Sequence, residues 1–203
     1  MHSGKPHCRL YRYSEGDCGM LACARCGKAA YARLQARIVR ATRQHAQILF
    51  LTVYYEHRWG EDFSDLPLFK DQKKQLENDF RMLASKVFRA LRDKARRSGM
   101  SFEYCVVFAL SKVKHRLHKH LHFHALLTWL PDTKPHPTSK KKERLQSSWL
   151  EKKLARLHLV MWLEKPRSKD AVARYTAQNA KTVIGKKGYA GKHVVRMSQG
   201  YEK

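Results

Sequence analysis

From His120 to Trp129 apolar and histidine positions alternate: Leu121, Phe123, Ala125, Leu127 and Trp129 fall on one parity, His120, His122 and His124 on the other. Side chains of an extended strand point to opposite faces in turn, so the pattern predicts a strand with its apolar parity on a core and its histidines grouped on the other side. Two imidazoles at i and i+2 can hold one metal ion. The same pattern also suits polar residues wetted on the open face of an antiparallel strand.

Other stretches switch between the two periodicities. Gln47 to Tyr55 is β-branched and aromatic and reads as a strand. Leu76, Phe80, Leu83, Val87 and Leu91 then recur at spacings of three and four, predicting a long amphipathic helix that stops near Gly99, with Lys73, Lys74, Arg81, Lys86, Arg89 and Arg92 on its outer face. Phe102 to Leu110 is a second strand, joined through the basic, histidine-rich turn Ser111 to Lys119 to the histidine strand as a hairpin. After the loop from Pro131 to Pro137 come a helix from Ser139 to about Arg156 and a strand from Leu157 to Leu163, closed by Pro166. Ser168 caps a helix from Lys169 to about Thr182 that carries Tyr175, and His193 to Met197 is a last strand.

The order β-α-β-β-α-β is the split βαβ, ferredoxin-like arrangement. It predicts an α+β fold: an antiparallel sheet of about five strands with helices on one face, the histidine strand in its middle and the histidines on the open face. Ala29 to about Gln44 reads as a basic helix that packs an N-terminal cysteine-rich module onto this domain, so the chain divides into residues 1–44 and 45–203. The 203 residues allow one main core but not several.

Charge narrows the partners. Lys and Arg number 42 against 17 Asp and Glu, a net +25, and such self-repulsion calls for a polyanion, nucleic acid first. Hydrophobic content of 43% argues for a folded basic protein rather than a disordered tail. Apolar runs such as Ile48 to Val53 are too short to span a membrane, and no signal-peptide pattern opens the chain, so the expectation is a soluble, cytoplasmic protein. Gly185 to Lys192 imitates a phosphate-binding loop, but its glycine spacing is one residue too long and His193 stands where Ser or Thr should be. A nucleotide-driven motor is thereby excluded.

Cys18, Cys23 and Cys26, with Cys8 upstream, suit a structural tetrahedral zinc site in a reducing compartment. His7 competes with Cys8 for the fourth position, and free thiols are the other reading. Cys105 lies apart, in an apolar strand, as a small buried hydrophobe.

His122-Phe123-His124-Ala125-Leu126-Leu127 resembles the His-hydrophobe-His motif of HUH endonucleases, the rolling-circle replication initiators of small phages and plasmids. Phe50-Leu51-Thr52-Val53 resembles their first-strand motif, Phe88-Arg89-Ala90-Leu91-Arg92 the helix that follows it, and Ala173-Arg174-Tyr175 the start of their tyrosine motif. Cys23-Ala24-Arg25-Cys26 before a basic helix resembles the N-terminal cysteine pair of single-stranded phage replication-associated proteins.

The resemblance implies a metal-dependent, site-specific DNA endonuclease and strand transferase. Tyr175 would be the nucleophile, His122 and His124 the ligands of Mg²⁺ or Mn²⁺, single-stranded origin DNA the substrate and a host helicase a further partner. The family's lysine three residues after the tyrosine is replaced by Gln178, and its second tyrosine by Asn179. Lys181 is the candidate supporting cation, although on a continuous helix it turns away from the face shared by Tyr175, Gln178, Asn179 and Thr182. No acidic residue lies between Val106 and Lys119 to serve as third ligand, which leaves His115 first, then His118 and His120; an all-imidazole site would favour manganese or zinc over magnesium. Tyr175 could instead be a core residue of its helix, and Tyr54, Tyr55 and Trp59 either stack on bases or belong to the core. Two other activities share these features: a single-tyrosine transposase of the same chemistry, and a non-enzymatic, zinc-containing nucleic-acid-binding protein.

Overall fold

The computed structural model of the chain describes residues 27–55, 70–112, 119–137, 143–157, 159–180 and 195–201. In chain order these form α1 (Gly27–Gln44), β1 (Leu49–Tyr55), α2 (Lys70–Arg97), β2 (Tyr104–Lys112), β3 (Lys119–Leu127), β4 (Thr133–Pro135), β5 (Arg144–Ser147), α3 (Ser148–Ala155), β6 (Leu159–Glu164), α4 (Lys169–Ala180), β7 (Val195–Met197) and a 3₁₀ turn (Gln199–Tyr201). The strands make one antiparallel sheet in the order β4-β5-β6-β1-β3-β2-β7. The histidine strand β3 lies between β1 and β2, well inside it.

Seven strands stand where about five were expected. The surplus is the short pair β4 and β5, in a stretch read as loop and helix. Arg144 and Leu145 extend the sheet by pairing with Glu164 and Leu163, and the helix begins only at Ser148. Ser147 makes the change of direction: its Oγ accepts from Leu150 N–H at 3.4 Å and donates to Pro131 O at 2.7 Å. The other helix ends follow the residue signals. Gly99 closes α2 at φ +65°, with Met100 N–H bonded to Ala95 O and Gly99 N–H to Arg96 O, a Schellman stop, and Ser168 Oγ accepts from Ala171 N–H at 3.2 Å.

Helices cover both faces of the sheet, not one. On the first face Val87, Phe88 and Leu91 of α2 and Leu150 and Leu154 of α3 pack on Leu49, Leu51, Val53, Phe123, Ala125 and Leu127. On the second face Ile38, Val39 and Ala41 of α1 and Val172, Ala173, Ala177 and Ala180 of α4 pack on Phe50, Cys105, Val107 and Leu126. The sign was present in the chain: Val106-Val107 and Leu126-Leu127 are apolar on both parities, as strands buried on both sides are. Helix α1, placed with the N-terminal module in the sequence reading, is thus a wall of the second core. Tyr201 fastens that wall. Fully buried, it hydrogen-bonds Thr42 of α1 at 2.9 Å, while Thr42 Oγ1 donates to Ile38 O at 2.7 Å.

Among the described residues no helix is long and apolar enough to cross a membrane. Cys105 is buried, as its apolar strand implied.

Candidate active site at the histidine pair

Strand register assembles the site. Thr52 and Tyr54 of β1 stand opposite His124 and His122 of β3, and Val107 and Ala109 of β2 stand opposite the same histidines on the other flank. All share the second face of the sheet, the one that α1 and α4 cover. His122 and His124 are therefore 8% and 4% exposed, not set out on an open surface.

Their ring nitrogens converge, with His122 Nε2 and His124 Nε2 3.1 Å apart. Without a metal this is one N–H donating to one lone pair. The spacing also suits two imidazoles on one ion. Thr52 Oγ1 lies 2.9 Å from His124 Nδ1 and can either donate or accept there, so it supports either tautomer and fixes the ring plane. Burial first, and the neighbouring His122 second, push the His124 pKa down from 6.5 to about 3, against an opposing hydrogen bond that the ring donates to Asn179. His124 is consequently a neutral imidazole near neutral pH, the form a metal ligand requires.

Helix α4 carries Tyr175 onto this pair. Its ring meets His124 edge-on, with centroids 5.2 Å apart, and Phe50 edge-on at 5.9 Å, while Phe50 stacks on His124 at 5.3 Å. Tyr175 is still 49% exposed, which sets aside its reading as a core tyrosine. One turn later Asn179 donates to Tyr175 O at 2.9 Å and reaches the His124 ring. Asn179, identified in the sequence only as a departure from the family pattern, thus joins the tyrosine helix to the histidine strand. Phe50 and Thr52 belong to a strand motif in the sequence; their contacts with His124 follow from the β1–β3 register.

Two histidines do not complete a metal site, and among the described residues no third His, Cys, Asp or Glu joins them. His115 and His118 lie outside the described residues, as do Lys181, Trp59, His7 and the cysteines Cys8, Cys18, Cys23 and Cys26. The register sets His120 opposite Ser111, on the same parity as the pair.

Arginines line two clefts of the domain. Arg40, Arg43 and Arg174 line a cleft between α1 and α4, in which Arg43 is paired with Asp170, and Arg89, Arg92 and Arg196 line another between α2 and the β2–β7 end of the sheet. In comparisons with known proteins, no family model, curated protein or solved structure matches this chain.

Proposed function

We propose that the chain is a single-tyrosine HUH nicking and joining enzyme that opens single-stranded origin DNA for rolling-circle replication in a host cytoplasm. The observation that carries this reading is the packing of the exposed Tyr175 on His124, whose Nε2 faces that of His122. Residues far apart in the chain are brought together as a nucleophile beside two imidazoles. The four inner strands, β6-β1-β3-β2, with α2 and α3 on one face, support the ferredoxin-like form of the fold on which such a site is expected.

In the reaction the Tyr175 oxygen attacks a backbone phosphorus as its phenolic proton leaves. The bond from phosphorus to the 3′ oxygen breaks, and that oxygen takes up a proton. The products are a 5′-phosphotyrosine and a free 3′-hydroxyl, and the reverse attack rejoins strands without ATP because the ester energy is conserved. A divalent ion held by His122 and His124 would polarise the phosphate and stabilise its developing charge. Thr52 and Asn179 orient the His124 ring, and Phe50 holds that ring and the tyrosine in place.

The test is a covalent adduct on a denaturing gel, formed between the full chain and single-stranded DNA from its own replicon's origin in the presence of Mn²⁺. The adduct is expected with the parent chain and absent from Tyr175→Phe. No adduct on any origin strand, or one that survives Tyr175→Phe, overturns the mechanism and leaves a basic nucleic-acid-binding protein.

A further inference from the structure

Helices α1 and α4 cover only one side of the second face. Toward β6, β5 and β4 the same face carries Val160, Trp162, Glu164, Arg144, Gln146 and Lys134, none of which belongs to either core, and Tyr54 at the boundary is 39% exposed. Among the described residues no helix packs on this half. Its side chains are organised rather than merely solvated. Arg144 lies with its guanidinium carbon 4.0 Å from the centre of the Trp162 ring, and the indole N–H donates to Glu164 Oε2 at 3.1 Å, which fixes the ring plane. Arg144 has no ion-pair partner among the described residues. A guanidinium stacked on an indole keeps its N–H donors in its own plane, free for a phosphate.

This half of the face adjoins the histidine pair. Trp162 stands directly opposite Thr52, and Thr52 directly opposite His124, so Trp162 and His124 are two strand spacings apart, about 10 Å. Tyr54 stands beside His122 in the same way.

We propose that Tyr54, Trp162 and Arg144 form a stacking subsite for single-stranded DNA, in which the aromatic rings take bases and Arg144 takes a phosphate of the segment next to the one that reaches Tyr175. Flat rings bind every base through its π-face, a guanidinium supplies the matching charge, and Lys134 extends the cationic track toward the sheet edge. Glu164 lies on the same face but is engaged by the indole, where it positions the ring. Naming the ligand as the nicked strand rests on the proposed nicking activity; the stacking chemistry does not.

The test measures binding alone. A fluorescein-labelled oligothymidylate of about 15 nucleotides is titrated into the full chain carrying Tyr175→Phe, so that nothing depends on cleavage. Adding Trp162→Ala is expected to weaken binding roughly 5- to 150-fold, the range of one lost stack, and Trp162→Phe to retain most of the affinity while losing part of the intrinsic fluorescence quench. Arg144→Gln is expected to lower the slope of log affinity against log salt by about one. Trp162 lies outside both cores, so these variants retain the fold. Unchanged affinity in Trp162→Ala, an unchanged quench in Trp162→Phe, or an unchanged salt slope in Arg144→Gln overturns the subsite. Failure of the parent chain to form an adduct, with the Trp162 dependence intact, removes the nicking reading and keeps this one.

Discussion

The His124 imidazole makes the stability of the domain depend on pH in a range where carboxylates are still charged. Its pKa is about 3 in the folded chain, lowered mainly by burial at 4% exposure, whereas an unfolded histidine titrates near 6.5. The depressed folded value sets the sign. Folding is undisturbed by this group above about pH 6.5; below it the unfolded chain binds a proton that the native chain refuses, and stability falls by about 1.4 kcal/mol per pH unit until the folded value near 3 is reached. At about pH 5 the unfolded imidazole is favoured in its charged form by about 30-fold, so between about pH 7.5 and pH 5 this one group removes about 2 kcal/mol. That is a large share of the stability of an ordinary domain. The assay is urea unfolding followed by tryptophan fluorescence at both pH values, with a chelator present so that metal binding does not enter. His124→Gln, which cannot titrate, is expected to lose about 2 kcal/mol less than the parent over this interval, whatever its stability at the upper pH. Equal losses in the two proteins would refute the argument, because they would mean that His124 titrates in the native state much as it does in water.

Three further outcomes follow from particular contacts. His122→Ala and His124→Ala are expected to abolish adduct formation while leaving most of the affinity for single-stranded DNA, since phosphate contacts elsewhere supply it; an equal loss of binding and cleavage would assign the pair a structural role. Tyr201→Phe removes the hydroxyl that bonds Thr42 and is expected to cost about 1 kcal/mol in urea unfolding, whereas Tyr201→Ala, which also empties a fully buried ring site, is expected to cost about 3–5 kcal/mol; near-neutral values for both would show that the C-terminal turn does not fasten α1. Ser147→Ala loses the cap of α3 and the bond to Pro131 together, with an expected cost of about 1–2 kcal/mol, and a loss no larger than that of an exposed surface substitution would count against the cap.

Local signals carried most of the elements. Alternation placed β3, β-branched and aromatic content placed β1, an apolar run placed β2, apolar spacing placed α2, Ser168 and Gly99 marked helix ends, and the apolar parity of the histidine strand packs under α2 and α3 as its period required. Where the reading failed, a distant partner had decided. Residues 144–147 are a strand because β6 offers its edge, and nothing within four residues announces an edge pairing made so far along the chain. The doubled apolar positions at Val106-Val107 and Leu126-Leu127 did announce a second covered face. Which helices would cover it was not written there.

For the site, the chain by itself determined the chemistry on offer: two imidazoles on one parity of a strand, a tyrosine on a later helix, and a strong positive charge. These follow from residue types and the two-residue period of a strand, both of which are local. Only the tertiary structure decided that His124 is buried and neutral, that Thr52, Phe50 and Asn179 hold it, that Tyr175 stays exposed above it, and that Trp162 and Arg144 lie on the same face. The physical reason is that burial, electrostatic environment and cross-strand neighbours come from register and packing between segments distant in the chain, and a one-residue slip of β3 would turn His122 and His124 to the opposite face.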